Sequence, residues 1–440
     1  MDYKKGSKLN EGKTKVVWKV KNKADLVIIE NKNDITAFDD PSFTKQFKTK
    51  AENATMVTCR VFELLKKAGI PVAYEKQMSA NQFVAPGCEM IPLEVVSRRF
   101  AVGSFLKRHP ELVKKETLPH RFHKLVIEFF LKTTKGKLVN HKGVNVLKGL
   151  DPKKGEEDPF IDNPFENNWN LYHSKKPKWE ESAVLKSGIE AKKVLLNGSL
   201  DIMKEINNLT RRVFLVLEGA WNVLGYRLID MKIEFGLDKK GNLLVADVID
   251  NDSWRLRDVN WQELSKEAFR QGEKLDEVEK KYGFVAELSQ NFRVPKQALV
   301  LWRGSDSDEF PEVSQIGKAS GISIEEITLS GHKSAKISLN RLEKILTEYP
   351  DSGVILTFVG MSNGLGPILS ARTNWPVIGV PMTADKFADD VWSSLRMPSQ
   401  VPMLTVLSPK NAVLAALNIL AQKNPIAYMY RQFAIETLDE

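Results

Sequence analysis

Cysteine is nearly absent: Cys59 and Cys88 are the only two thiols in 440 residues. Two thiols cannot build a disulfide framework in a chain this long, so a reducing cytosol is the expected compartment and both are expected to be inert packing residues. Histidine is scarce as well, six in all, and His332 is the only one after His173. No apolar run approaches the roughly 18 residues that a membrane span needs, so no membrane partner is expected. The opening stretch MDYKKGSKLN is polar and lacks the apolar core of a secretory leader, so none is expected. Internal repeats and low-complexity tracts are also missing.

Apolar residues make up 42% of the chain and charged residues 28%, the balance of a folded globular protein rather than a disordered one. A single hydrophobic core rarely grows beyond about 250–300 residues, so 440 residues imply two or more domains. The formal charge is +9. Excess Lys and Arg attract phosphate, on nucleic acid or on small metabolites. Here the basic residues are interleaved with acids, without the clustered patch and aromatic platforms of a nucleic-acid binder. A solvated surface or phosphate-bearing substrates are favoured, and no nucleic-acid partner is expected.

Periodicity and turn signals divide the chain. Short β-type runs at Lys15–Val20 and Leu26–Glu30 precede apolar residues at helical spacing over Thr55–Lys67, with Gly69 and Pro71 marking the helix end. Residues 137–190, with KGLDPKKGEEDPFIDNPFENNW, are rich in Pro, Asn, Asp and Gly and show little periodicity, which predicts a long ordered excursion or active-site loop. An amphipathic helix is predicted over Ile202–Val223, then strands Arg227–Phe235 and Leu243–Ile249 about the turn DKKGN. Residues 262–295 are charged and helix-prone. They predict a connecting helical segment between an N-terminal domain, 1–261, and a C-terminal domain, 296–440. After Pro295, apolar strands Ala298–Trp302, Val354–Val359 and Val377–Val380 alternate with helical stretches such as Leu339–Thr347. That alternation predicts an α/β domain with a doubly wound parallel sheet, which binds ligands at the carboxyl ends of its strands.

Leu9–Lys15, LNEGKTK, stands just before a strand. Gly12 lets backbone amides approach a phosphate while Lys13 and Lys15 neutralise it. A plain surface turn is the competing reading, and the run does not fit the P-loop pattern. Met90–Arg108 reads MIPLEVVSRRFAVGSFLKR. Arg98 and Arg99, the Gly103–Ser104 pair and Lys107–Arg108 supply guanidinium forks, a hydroxyl and a free amide, the parts of a phosphate or carboxylate clamp. A basic amphipathic segment would look the same. In Ile229–Gly236, IDMKIEFG, the residues Asp230, Lys232 and Glu234 alternate with apolar ones and share one strand face. Ala246–Arg255, ADVIDNDSWR, adds Asp247, Asp250 and Asp252. Carboxylates beside a lysine on facing strands suit Mg²⁺ held together with ATP phosphates. The solvent face of an antiparallel hairpin is the alternative, and a clean apolar face opposite an acidic one counts against it.

In order and spacing these blocks resemble the SAICAR synthetase family (phosphoribosylaminoimidazole-succinocarboxamide synthetase), over about residues 8–272. The resemblance implies an α+β ATP-dependent ligase domain with ATP between two lobes. It would join the carboxylate of CAIR, the carboxylated aminoimidazole ribotide, to the amine of L-aspartate, cleaving ATP to ADP and phosphate. A carboxylate is a poor electrophile until ATP converts it to an acyl phosphate, and Mg²⁺ and cationic side chains offset charge on the transferring phosphoryl group. The resemblance places Lys13, Lys15, Lys132 and Glu234 at ATP, and Glu234 and Asp247 at Mg²⁺. It places Arg98, Ser104, Arg255, Lys266 and Arg270 at the ribotide, and Lys232 and Asp252 among the catalytic residues. Asp158, in EEDP, matches an acidic Asp-Pro element of the family. Asp34–Ala54, DITAFDDPSFTKQFKTKAENA, departs from the Gly- and Ala-rich pattern of the animal form, and the 137–190 stretch is longer.

Three further loops follow strand-like runs. Gly304–Asp308, GSDSD, places small hydroxyl residues and free amides at a strand-to-helix turn, where phosphate binds well; helix capping is the plainer reading. Ser330–Lys333, SGHK, sets His332 beside Lys333, where it can donate or accept a proton near neutral pH; an exposed loop histidine is the alternative. Gly360–Pro367, GMSNGLGP, could wrap a ligand or simply turn. If their strands share one parallel sheet, the three loops should converge at one edge.

GSDSD, SGHK, GMSNGLGP, PVIGVP and VWSSLRMP together are similar to AIR carboxylase, over about residues 296–430, and the SNGLGP form to the animal type that carboxylates aminoimidazole ribotide (AIR) with CO₂ directly. The resemblance implies phosphate contacts from Ser305, Ser307 and Ser330, with Asp308 near the ribose. His332 would be the proton-transfer residue, and Lys333 with Gly360, Ser362, Asn363 and Gly364 would complete the carboxylation site. The substrates implied are AIR, CO₂, CAIR, L-aspartate and ATP, with Mg²⁺ but neither biotin nor a redox cofactor, in a homo-octamer built through the C-terminal domains. Arg303, Gly331 and Met361 stand where the family usually has a small or Met-like residue, alanine and arginine. They leave open a second reading, an active ligase whose C-terminal domain is a non-catalytic ribotide-binding or assembly module.

Overall fold

The computed structural model describes residues 3–36, 44–46, 48–113, 118–196, 198–308 and 311–438. Part of the Asp34–Ala54 departure, 37–43 and 47, therefore lies outside the described residues. The chain divides into two units, residues 1–292 and 293–440.

In the first unit a five-stranded antiparallel sheet runs in the order Lys5–Glu11, Lys15–Val20, Lys23–Asn31, Gln82–Pro86, Lys76–Ser79. A larger, nine-stranded antiparallel sheet is centred on Leu93–Phe100 and Arg227–Leu237. The expected hairpin is there: Arg227–Leu237 pairs with Leu243–Ala246, Glu234 opposite Ala246. Its second strand ends earlier than the sequence suggests, because Asp247 turns to φ +67°, outside the range of a strand. Arg227–Leu237 is also flanked on both edges, by Leu93–Phe100 on one side and by Leu243–Ala246 and Trp254–Arg257 on the other. Asp230 and Glu234 are accordingly buried, so the acidic face is not a solvent face.

Alternation along Leu93–Phe100 sends neighbouring arginines to opposite faces of the sheet. Arg99 turns to the helix Asp201–Val223, where its Nε and Nη2 donate to Glu218 at 2.7 and 2.9 Å. Its Nη1 donates to the carbonyls of Phe122 and His123. That helix buries Ile206, Val213, Phe214 and Leu217, which is the apolar face its spacing predicts.

The structure fills in one stretch of the sequence reading and corrects another. Residues 137–190 form an ordered excursion that carries short strands between its turns. Phe160–Ile161, Asn168–Tyr172 and Val184–Glu190 extend the edge of the large sheet. Trp169 and Leu171 are buried while their neighbours are not, an alternation too brief to stand out among turn residues. Most of 262–295 belongs to the first unit: Leu275–Ser289 packs on Lys50–Lys67 by burying Val278, Tyr282 and Val285, and the first unit ends at Phe292.

The second unit has a five-stranded sheet in the order Ser323–Thr328, Gln297–Arg303, Ser352–Val359, Val377–Pro381, Leu404–Thr405, every pair parallel. Apolar side chains on the two sheet faces form separate clusters, Leu299, Leu301 and Leu356 on one and Val300, Trp302 and Ile355 on the other. The expected doubly wound architecture is therefore present, with order reversing at the first strand. No helix among the described residues is long and apolar enough to cross a membrane. Both cysteines are free thiols, and burial pushes Cys59 up to about 12 and, first among its causes, Cys88 up to about 11.

Candidate functional site

A cavity of about 1180 Å³ in the first unit is lined from both sheets. Val17, Val27 and Ala85 contribute from the five-stranded sheet, Met90 and Leu237 from the larger one, and Lys15, Lys132, Glu234 and Asp247 supply charge. Lys132 Nζ lies 2.6 Å from each Glu234 oxygen, and Lys15 pairs with Asp247. Burial opposes the Glu234 charge, but Lys132, Lys232 and Lys15 together hold its carboxyl below the usual range. Lys232 Nζ lies 2.7 Å from Glu94. Burial opposes its charge too, and Glu94 with Glu234 overcomes this and raises it. The sequence reading missed Glu94, although it shares a strand face with Arg98, and it missed the apolar wall. Lys13 is exposed and is not among the residues lining the cavity.

Asp158 sits beside this cluster at φ +49°, and its Oδ1 accepts the Thr133 amide at 2.7 Å. Burial, then Glu94, pushes its carboxyl up to about 6. Its folded value lies above the ordinary 3.8, so between these values the folded state binds a proton that the unfolded chain does not. The Asp158 contribution to stability therefore falls as pH rises through that window. Asp158→Asn keeps the acceptor for Thr133 and removes the charge. The variant should unfold at a higher temperature than the parent at pH 7.5 and at the same temperature near pH 4. A parent more stable at pH 7.5 would contradict this.

A second cluster follows from strand register. Asp230 lies opposite Arg98 on one side and Arg255 on the other. Its Oδ2 accepts from Arg98 Nη1 at 2.5 Å and Arg255 Nη1 at 2.6 Å. Arg98 also donates to Glu128 at 2.6 Å and Ser104 at 3.3 Å. Glu267 links Arg255, at 3.3 Å, to Arg270, at 3.0 Å. Gly103 has φ +60°, and a Cβ there would stand 2.6 Å from Arg255 Nη2, so only glycine lets the guanidinium lie against this turn. Ser104, Arg98, Arg255 and Arg270 thus come together as expected. Arg98 is only 3% exposed and spends its donors on protein, which makes it the support of the cluster. Asp252 pairs with Lys50 at 3.1 Å and Lys266 at 3.4 Å and accepts from Tyr282. Burial opposes its charge, but Lys50 and Lys266 hold it well below the ordinary range, while burial raises its neighbour Asp250. Asp252 and Lys266 so tie the Asp250–Ser253 turn to two helices.

In the second unit the three loops converge. The His332 ring lies against Gly364, where a Cβ would come within 2.3 Å of its ring atoms. Gly331 packs as closely on Leu365. Gly360 faces Asp308, whose oxygen would stand 3.5 Å from a Cβ there. Burial pushes the Asp308 carboxyl above its usual value. Ser307 Oγ lies 3.1 Å from Ser305 Oγ, and Ser330 Oγ accepts the Lys333 amide at 3.2 Å. His332, Lys333, Ser305 and Ser307 are exposed. Asn363 is buried: its backbone amide donates to Ser393 Oγ at 3.0 Å, its side-chain Nδ2 donates to Ser394 Oγ at 3.0 Å, and its side-chain Oδ1 accepts the Gly366 amide at 2.8 Å. Ser362 donates its amide to Gly360 at 2.7 Å. Arg303 Nε donates to Thr328 at 2.6 Å.

Family models agree with this two-site organisation. The model for SAICAR synthetase matches residues 8–153 and 178–287, and that for AIR carboxylase matches 298–433. A Caenorhabditis elegans protein, "Probable multifunctional protein ADE2", is 33% identical over 96% of this chain and 91% of its own length. The chain belongs to the family of bifunctional phosphoribosylaminoimidazole carboxylase/succinocarboxamide synthetases. A Drosophila melanogaster member bearing that full bifunctional name is 34% identical over 96% of this chain and 90% of its own length. A solved structure described as SAICAR synthetase (Type-2) in complex with ADP aligns with 64% of this chain and 98% of that one, at 25% identity and TM-score 0.47. The unmatched residues between 153 and 178 fall within the 137–190 excursion.

Proposed function

We propose that this chain carboxylates AIR with CO₂ to CAIR in its C-terminal unit and ligates CAIR to L-aspartate in its N-terminal unit, cleaving ATP to ADP and phosphate and giving SAICAR. The observation that carries this reading is that the chain matches both family models and bifunctional relatives over about nine-tenths of their length.

In the ligase, the adenine would lie in the apolar part of the cavity, between the two sheets acting as lobes, with the phosphates towards Lys15 and Lys132. Glu234 and Asp247 fit Mg²⁺, since both are carboxylates that line the cavity beside lysines; the ion would offset charge on the transferring phosphoryl group. Among the described residues no three His, Cys, Asp or Glu side chains gather into a metal site, so the remaining ligands would be ATP phosphates and water. A CAIR carboxylate oxygen takes the γ-phosphoryl group and ADP leaves. The aspartate amine then attacks the acyl carbon, the C–O bond to phosphate breaks, and the amine gives up a proton. Lys232 faces Glu94 beside this cavity and offers positive charge to the reacting carboxylate. Ser104, Arg255 and Arg270 would hold the ribotide, with Arg98 orienting Ser104. Lys13, at the exposed turn, would meet ATP from outside.

In the carboxylase, Ser305, Ser307 and Ser330 would bind the ribotide phosphate and Asp308 the ribose. The electron-rich ring carbon of AIR attacks CO₂, whose π electrons move to oxygen to give the carboxylate, and the ring proton passes to His332. Lys333 and the Gly360–Gly364 turn would hold the new carboxylate. We further propose eight chains assembled through their C-terminal units, supported by the exposed apolar Trp392, Leu395, Leu404 and Leu407 there, in the cytosol.

Counting ADP released per SAICAR formed tests the whole reading. Purified protein given AIR, bicarbonate, aspartate and Mg-ATP should release one ADP per SAICAR. SAICAR formed only when CAIR is supplied would reject the carboxylase half.

A further inference from the structure

We propose that Asp390 is the positioning residue of the carboxylation site, holding the Gly360–Gly364 turn in the shape that seats it against His332. The inference rests on the reading of these loops as that site.

Met361 is the strained point of the turn. It has φ +65°, a region that side-chain-bearing residues enter only when their surroundings impose it. What imposes it is a short hydrogen-bonded chain. The Met361 amide donates to Thr383 Oγ1 at 2.9 Å and to Asp390 Oδ2 at 3.1 Å. Thr383 Oγ1 donates in turn to the same Asp390 oxygen. Asp390 is 7% exposed, so its carboxylate competes little with water. The grip extends to the next residues. Ser393 Oγ donates to the Asp390 carbonyl at 2.8 Å and accepts the Asn363 amide at 3.0 Å. Asp390 and Ser393 therefore hold the turn at two amides, two residues apart, on either side of Ser362. Immediately beyond is Gly364, on whose Cα the His332 ring rests. Gly360, immediately before, is wedged between Thr383 and Asp308.

Nothing else bonded to the Met361 amide is a charged group, so loss of the carboxylate should release the turn towards an ordinary negative φ. That would move Gly364 away from the imidazole and Gly360 away from Asp308. Misplacement of about an ångström at a reacting group costs on the order of a hundredfold in rate. A glycine at position 361 takes the same φ without side-chain strain, so it should need the carboxylate less.

The test is a double-mutant cycle on the full chain, with AIR carboxylation as readout and SAICAR formation from supplied CAIR as folding control. Asp390→Ala should lower kcat/KM for carboxylation about 10–100-fold while ligation stays within about twofold. In a Met361→Gly background the same change should cost at least about threefold less. An equal loss in both backgrounds, or none, overturns the proposal. If Asp390→Ala abolishes ligation as well, the chain has unfolded and Thr383→Val replaces it. This keeps the carboxylate but removes the bridging hydroxyl, and a loss confined to carboxylation is then expected, its absence counting against the proposal. His332→Asn run alongside separates the two levels. Intact carboxylation in that variant sinks the reading of the site; abolished carboxylation there with an unaffected Asp390→Ala sinks only the positioning role.

Discussion

Asparagine at position 332 is expected to lower AIR carboxylation about 10²–10⁴-fold, the usual worth of a positioned proton-transfer group, while SAICAR still forms from supplied CAIR. His332 is the one imidazole of the second unit and rests on the Gly364 turn. Asparagine can hydrogen-bond in its place but cannot take the ring proton near neutral pH. Direct assay of CAIR from AIR and bicarbonate checks this. Unchanged carboxylation would favour the other reading, in which the second unit binds ribotide or assembles the protein without chemistry of its own. Arg303, Gly331 and Met361, the residues that motivate that alternative, occupy defined places: Arg303 on Thr328 at the strand end, Gly331 against Leu365, Met361 on Thr383 and Asp390.

Arg99→Ala should destabilise the first unit by about 3–5 kcal/mol, the cost of removing one partner of a buried ion pair. Arg99 is fully buried and has Glu218 and two carbonyls as partners. Its removal takes two guanidinium hydrogen bonds from the buried Glu218 carboxylate, in the contact between the large sheet and the helix Asp201–Val223. Urea unfolding followed by tryptophan fluorescence measures the effect, since Trp221 lies buried on that helix. Arg99→Met together with Glu218→Leu should recover much of the loss, because the burial is then of apolar groups of similar size. A change below about 1 kcal/mol in Arg99→Ala would mean that the pair is not holding the helix to the sheet.

The neighbours Arg98 and Arg99 show how far sequence reasoning reaches. Both look like members of one phosphate clamp in MIPLEVVSRRF, yet strand alternation sends only Arg98 to the site. Alternation was readable; which face carries the site was not, because that depends on the strand laid alongside. Asp252 gives the same lesson. Its spacing suggests an acidic group shared with Asp247 and Asp250; Asp252 stays beside Asp250, among Lys50, Lys266 and Tyr282, while Asp247, at φ +67°, pairs with Lys15. The partners Lys50 and Tyr282 stand 202 residues before and 30 after it in number, and no local pattern links them. In residues 137–190 the sequence predicts an ordered excursion without placing its strands, because strands of two to seven residues carry too few alternations to rise above their turn residues.

The sequence by itself determined the two-part organisation, the parallel sheet after Pro295, the hairpin Arg227–Ala246, and the convergence of GSDSD, SGHK and GMSNGLGP. These follow from periodicity, turn chemistry and the rule that parallel strands end their loops at one edge. Tertiary structure alone decided which charged and polar groups meet: Asp230 between Arg98 and Arg255, Glu94 at Lys232, Asp390 at the Met361 amide. Register and packing bring these groups together from distant points of the chain, and each charge could be buried only because its partner arrived there too.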